Sequence, residues 1–361
     1  MENLKQKKNK KRIKIYFSIY FMFLFISITF ISILYYDFNN NFYDRIYNSI
    51  KLGTNYLTEI QESNGLFNIT DLEFEPQNTR AYSQSYILYA LAKIKNRFPS
   101  LIDPQNISLA QNFLISIQSN NSCWRFDNDI PPDADDTSLA LLSLIESHYT
   151  GDLSNSFNNL TLVKFPSGNY NFWLINYSDW EGQYQILTST VITGTILYAL
   201  YSYNLSKYRS EIGDSISLLE INQTSEGNWI ADYWYLEYYT TYIMSRIISL
   251  IKPNSISLIN CYNHLIKNQN DDGSWGSNDT RKDLDTSLAL LTLLNLERNK
   301  FISYPFILRG IEYLLNNQRI DGSWRSVVIW MDPGFISYYY RSKAITTAFC
   351  LMALTEFLNL N

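Results

Sequence analysis

Two kinds of apolar run alternate along this chain. One kind, such as IEYLLNN (Ile311 to Asn317), ends just before a Gln. The other, such as TSLALLSLIES (Thr137 to Ser147) and TSLALLTLLNL (Thr286 to Leu296), follows a polar loop and is apolar almost all round. A helix without a polar face is buried on most sides, so the second kind predicts inner helices and the first kind outer ones. Between them stands a recurring phrase, a Gln followed by a turn and an aromatic. Its clear copies are QESNGLF (Gln61 to Phe67), QSNNSCW (Gln118 to Trp124), QTSEGNW (Gln223 to Trp229), QNDDGSW (Gln269 to Trp275) and QRIDGSW (Gln318 to Trp324).

Consecutive copies start 57, 46 and 49 residues apart, and the interval of 105 between Gln118 and Gln223 holds a degenerate copy, KFPSGNYNFW (Lys164 to Trp173), midway. The chain therefore carries six repeats of roughly 50 residues. Each reads as a helical hairpin that cannot bury its apolar face alone. With no polar caps at either end of the array, closure is expected. The predicted fold is all-α, an (α/α)6 toroid of six helical-hairpin repeats over residues 51–361.

The first residues have another character. Seven Lys and Arg fall in residues 1–14, and residues 15–36 then run without a charge. At about 1.5 Å per residue that stretch spans roughly 33 Å, the thickness of a bilayer core. No small-residue cleavage site follows it, so it is expected to be an uncleaved transmembrane helix. The basic leader is expected in the cytoplasm, and a short tether, residues 37–50, is expected to hold the toroid outside. The expected localisation is thus a single-pass membrane protein whose partner is the lipid bilayer.

Charge and cysteine usage narrow the function. The whole chain carries 29 Lys and Arg against 34 Asp and Glu, and without the leader the balance is 22 against 33. A nucleic-acid partner is excluded on that balance. The three cysteines, Cys123, Cys261 and Cys350, fall in different repeats and imply no disulfide framework. Eight Asn-x-Ser/Thr sites, at Asn68, Asn106, Asn120, Asn159, Asn176, Asn204, Asn222 and Asn278, permit glycosylation without arguing for it.

Chemistry concentrates where polar loops enter the inner helices. PPDADDTSLALLSL packs Asp133, Asp135 and Asp136 into four residues, and KDLDTSLALLTL carries Asp283 and Asp285. Aligned on DTSLALL, Asp136 falls on Asp285, and an Asp just before an apolar helical run is expected to be its N-cap. The other repeats have Ser83, Ile192, Thr240 and Thr346 there. One position earlier stand Tyr82, Asp135, Val191, Tyr239, Leu284 and Ile345, a set expected to face the ring's interior. Asp135 is its one acid. Desolvation and a neighbouring carboxylate both disfavour ionisation, so such a group stays protonated near neutral pH and can act as an acid. Two positions before Asp135 the repeats show Arg80, Asp133, Ser189, Glu237, Lys282 and Lys343, with Asp283 one step further in, a mixed-charge rim. Aromatics crowd the same loops, among them Trp180, Trp234, Tyr238 and Tyr340, and their faces could stabilise a carbocation or stack on a sugar.

The repeated Gln-to-Trp phrase and the Asp-x-Asp-Asp-Thr string resemble the squalene and terpene cyclases and their relatives in the prenyltransferase and squalene-oxidase repeat superfamily. The resemblance covers the whole globular part and implies an α/α toroid. It further implies that Asp135 is the proton donor that starts a carbocation cyclisation of a polyprenyl lipid, with Asp133 and Asp136 tuning it. Tyr82, Trp180, Trp234, Tyr239, Glu237 and Asp283 are the candidate substrate-binding residues. No cofactor or metal is expected: the Cys-x-x-His of INCYNHLI (Cys261, His264) reads as helix packing. Two other functions are compatible with the residues. One is a non-catalytic extracellular toroid that binds a ligand or scaffolds, and the other is a carbohydrate-acting (α/α)6 enzyme using Glu237 and Asp283.

Overall fold

The computed structural model describes residues 41–71, 81–126, 128–174, 187–230, 237–277, 281–297, 304–331 and 339–360. The leader, the anchor at 15–36, Trp180 and Trp234 lie outside the described residues. The chain divides into two compact units, Met1–Asn48 and Ser49–Asn361. Of the first, residues 41–48 are helical. Residues 41–50, the described part of the tether expected at 37–50, are helical.

Within Ser49–Asn361 the helices are α1 (49–59), α2 (Ala81–Arg97), α3 (Pro104–Ser116), α4 (Ala134–Glu146), α5 (Ser154–Leu162), α6 (Thr190–Ile221), α7 (Glu237–Ile251), α8 (Ile256–Lys267), α9 (Lys282–Glu297), α10 (Tyr304–Asn317) and α11 (Lys343–Leu360). Helices α2, α4, α6, α7, α9 and α11 each touch the next, and α11 touches α2. That is a closed circle of inner helices. Outer helices α3, α5, α8 and α10 pack behind α2, α4, α7 and α9. Helix α6 supplies two members: at Asn204 the backbone leaves the helical region (φ −162°, ψ 88°). The Asn204 side chain accepts the amide of Lys207 at 3.0 Å, starting the outer half as an N-cap would.

The recurring phrase is the joint of this ring. The Gln side-chain amide of each clear copy donates back to the carbonyl four residues on, at 2.8 to 3.4 Å. It also reaches across to the next outer helix: Gln61 to Asn106 O, Gln223 to Ser257 O and Gln269 to Phe306 O, at 2.7 to 2.9 Å. The Trp indole N–H donates to a Leu carbonyl ten residues earlier, and the Trp amide donates to a Thr hydroxyl on the inner helix. Outer helix, turn and inner helix are locked together by these buried hydrogen bonds in the four Trp copies, and in the first copy the Phe67 amide donates instead to Gln84 Oε1 on α2 at 2.7 Å. In the degenerate copy the pattern selects Tyr170, not Trp173: its amide donates to Thr193 Oγ1 at 3.3 Å.

One feature departs from the all-α expectation. Between the sixth turn and α11 the chain forms an antiparallel pair, β1 (Val327–Met331) and β2 (Tyr339–Ser342), with a bulge between Val328 and Trp330. The run VVIW is short, β-branched and aromatic, which suits a strand rather than a helix turn. Helix α11 is long and apolar enough to cross a membrane, yet 72% of it is buried as an inner wall of the ring.

Candidate functional site

The DADD string opens α4. Its backbone is clamped on both sides: Asp133 N donates to Trp124 O, Ala134 N to Phe172 O, and Leu174 N to Pro132 O. The clamp sets the helix start one turn earlier than the sequence suggests. Asp133 is the N-cap, its Oδ1 accepting the Asp136 amide at 2.8 Å. Asp136 therefore lies inside the first turn and does not cap the helix. Asp285 likewise sits within the first turn of α9, its amide donating to Arg281 O and its carboxyl paired with Arg281 at 3.4 Å. The capping expectation fails for both residues; in α4 the helix start is set by the contacts from Trp124 and Phe172.

Asp135 faces the ring's interior and is 7% exposed. Burial first, and the Asp133 charge second, push its carboxyl up to about 8. Its Oδ1 is buried without a hydrogen-bond partner. Asp133 is itself pushed up to about 6 by burial, against the pull of hydrogen bonds from Asp136 and nearby amides. A protonated Asp135 beside an Asp133 that shares hydrogen bonds with Asp136 is an arrangement able to deliver a proton into an apolar space.

Aromatic rings from α2, α7, α11 and β2 surround that space. Tyr82 meets Tyr86 and Tyr340 edge-on, with centroids 5.1 and 5.5 Å apart. Tyr86 lies 4.9 Å from Phe349, and its hydroxyl is hydrogen-bonded to that of Tyr239. Burial above all holds the hydroxyls of Tyr82, Tyr86 and Tyr239 neutral. Of the expected set, Tyr82 and Tyr239 come together with Asp135. Tyr86 and Phe349 were not singled out, and Tyr340 was named only among the aromatics of the loops that enter the inner helices. The signal for the first two was periodicity, since they stand four positions after Tyr82 and Ile345 and so repeat on the same helix face.

Glu237 and Asp283 do not share a site. Glu237 accepts from His264 Nε2 at 2.8 Å, and that bond holds its carboxyl below its usual range. Asp283 accepts from Tyr313 Oη and Arg325 N, each at 3.2 Å. The carboxyl that does neighbour Glu237 is Asp285, pushed up to about 7 mainly by burial. Glu237, His264, Arg281 and Asp285 line an open polar cleft of about 790 Å³ between two of the Gln-to-Trp turns. His264 thus serves Glu237, while Cys261 on the same helix is fully buried.

A closed circle of inner helices with a buried acid string at its mouth defines an α/α toroid of the terpene-cyclase kind. The chain belongs to the squalene-hopene cyclase family, whose C-terminal domain model matches residues 168–359. The DADD string stands before that span. A squalene–hopene cyclase of Bradyrhizobium diazoefficiens is 22% identical, with 75% of this chain and 46% of that protein covered. The chain thus spans about half the length of that curated relative. Among solved structures, a type II terpene cyclase variant from Scytonema in complex with geranylgeranyl dihydroxybenzoate superposes with TM-score 0.72 at 16% identity, covering 89% of this chain and all of that one. An ent-copalyl diphosphate synthase from Streptomyces platensis gives TM-score 0.58 at 19% identity, covering 76% of this chain and 50% of that one.

Proposed function

We propose that this chain is a membrane-anchored class II terpene-cyclase-like enzyme in which Asp135 protonates an alkene of a polyprenyl lipid and so starts its cyclisation. The observation that carries the reading is Asp135 itself, a buried carboxyl with an unpartnered Oδ1, held protonated near neutral pH and facing Tyr82, Tyr86 and Tyr239. Asp133 and Asp136 would keep the donor oriented, and the tyrosine faces would stabilise the cation that protonation creates. The Scytonema and Bradyrhizobium proteins support the substrate class by name and fold alone. The test is product formation from geranylgeraniol and from squalene in detergent. Wild-type protein should form cyclic isomers and Asp135→Asn should lose at least a hundredfold in rate. Equal turnover in the two would remove Asp135 from the chemistry.

The anchoring rests on the basic leader and the uncharged stretch 15–36. Protease added to intact cells should digest residues beyond about 40 and spare the leader. Protection of the repeats until lysis would reverse the orientation.

A ligand-binding ring without turnover is the second reading. It is favoured by one observation: the space deeper in the ring, lined by Tyr86, Leu139, Thr195, Ile243 and Phe349, is only about 20 Å³. That is room for little more than a water. Tight binding of geranylgeraniol without any product would support it.

A further inference from the structure

The inner helices present their interior faces in layers. Asp135, Tyr82 and Tyr239 share the mouth layer, and four residues on lie Leu139, Tyr86 and Ile243. Seven residues on the six positions are Tyr89, Leu142, Tyr198, Arg246, Leu291 and Met352. Five are apolar or aromatic, and one is a permanent cation. Arg246 is 8% exposed and lines the narrow inner space together with Tyr198 and Tyr242. Its guanidinium carbon stands 3.4 Å from the centroid of the Tyr198 ring, 5.4 Å from that of Tyr89 and 5.5 Å from that of Tyr242. Its hydrogen bond goes to the Tyr89 hydroxyl. Among the described residues no carboxylate pairs with it. The acids one layer deeper, Glu146 and Glu356, are held by Lys93 at 3.9 and 2.7 Å.

Burying a guanidinium without a paired carboxylate is costly; it stays charged at any working pH and pulls the Tyr198 hydroxyl below its ordinary value against the effect of burial. Two consequences meet in the ring. The π faces that could stabilise a carbocation at this depth are already taken by the guanidinium. A second positive charge arriving there would also be repelled across a low-dielectric space. The zone open to a cation is therefore the mouth and the layer beneath it, where Tyr82, Tyr86, Tyr239 and Phe349 stand. Four residues of inner helix separate those layers, about 6 Å along the axis. That length is the span of one or two fused six-membered rings, and Tyr86 and Phe349 must part to admit them, since the space they line is only about 20 Å³.

Resting on Asp135 as the proton donor, we propose that Arg246 sets the depth of cyclisation, its fixed charge halting the carbocation after the first or second ring, so that the product is a mono- or bicyclic terpenoid. The balance is simple. Asp135 gives its proton to the terminal alkene carbon, each new C–C bond uses the π electrons of the next alkene, and the last cation loses a proton to water. The product is an isomer of the substrate, and solvent reprotonates Asp135.

The experiment supplies geranylgeraniol to the full-length protein in detergent and counts product rings by mass spectrometry. Wild-type protein and Arg246→Lys, which keeps the charge, should give mono- and bicyclic products. Arg246→Met, neutral and of similar length, should raise the share of products with three or more rings at least tenfold. Arg246→Gln, which can keep the Tyr89 hydrogen bond, replaces it if the Met variant does not melt cooperatively. An unchanged ring count in the neutral variant overturns the proposal, as does an equal change in Arg246→Lys, which would assign the effect to shape. Wild-type protein without product fails the cyclase reading itself, a result distinct from either.

Discussion

Asp135 occupies the one mouth position where burial and a neighbouring carboxyl act in the same direction. The unfolded carboxyl releases its proton near 4, and the folded one near 8. Between those values the folded state binds more protons than the unfolded one, so stability is full below about 4 and is lost as pH rises towards 8. Asp133, near 6, and Asp285, near 7, add to the same trend. Turnover that needs protonated Asp135 should therefore be flat at lower pH and fall about tenfold per unit above about 8. Asp135→Asn should melt a few degrees above wild type at pH 8, with the gap closing towards pH 4, which calorimetry across that range would read. A gap independent of pH would mean that Asp135 titrates as an exposed carboxyl. That Asp135 is chemically set apart was legible in the sequence, because an acid among bulky apolar groups at one repeat position stands out. Which Asp caps α4 was not, since Trp124 and, far along the chain, Phe172 fix where the helix begins. Arg246 was equally silent, because only the ring brings Tyr89 and Tyr198 against it.

At the scale of the element, the Gln-to-Trp turn explains both its own constancy and its exceptions. The fifth residue of each copy has positive φ, for instance Gly273 at 86°, and a Cβ there would stand 2.5 Å from Arg309 O on the next outer helix. The constraint at the seventh residue, the buried aromatic, is packing, and that at the fifth is backbone. Gly273→Ala should thus cost about 1–3 kcal/mol. Gly213→Ala, in a helical position with open space around it, should instead stabilise by about 0.5–1 kcal/mol. Denaturant midpoints of the two single variants separate these outcomes, and a neutral Gly273→Ala would show that the turn relaxes away from α10. Ser122, at φ 62°, occupies the same position in the second copy, the one clear copy without Gly there. The hairpin rhythm made inner and outer helices readable from the sequence. The misplacement of the degenerate copy onto Trp173 came from weighing the aromatic type above its spacing from Lys164, and the β1–β2 pair was missed because nothing in the repeat calls for it.

Ring closure belongs to the whole of Ser49–Asn361, and two separate contacts make it. In the outer layer Gln318 of the last turn donates to Ser49 O at 2.9 Å, the same bond its counterparts make to the next repeat. In the inner layer α11 packs on both α9 and α2. The last repeat thus treats the first as its successor, which is why no polar cap was needed at either end of the array. A linear solenoid that loses its terminal unit exposes one interface and keeps the rest. A ring that loses a unit exposes two at once: here the faces of α9 and α2, where Leu284, Leu288, Leu291, Tyr82 and Tyr86 are buried. Deleting residues 311–361 should therefore abolish cooperative thermal unfolding and the near-ultraviolet signal of the packed aromatics, while leaving much of the helical far-ultraviolet signal. A truncated protein that still melts in one sharp transition would mean that the repeats hold together pairwise and that closure contributes little to stability.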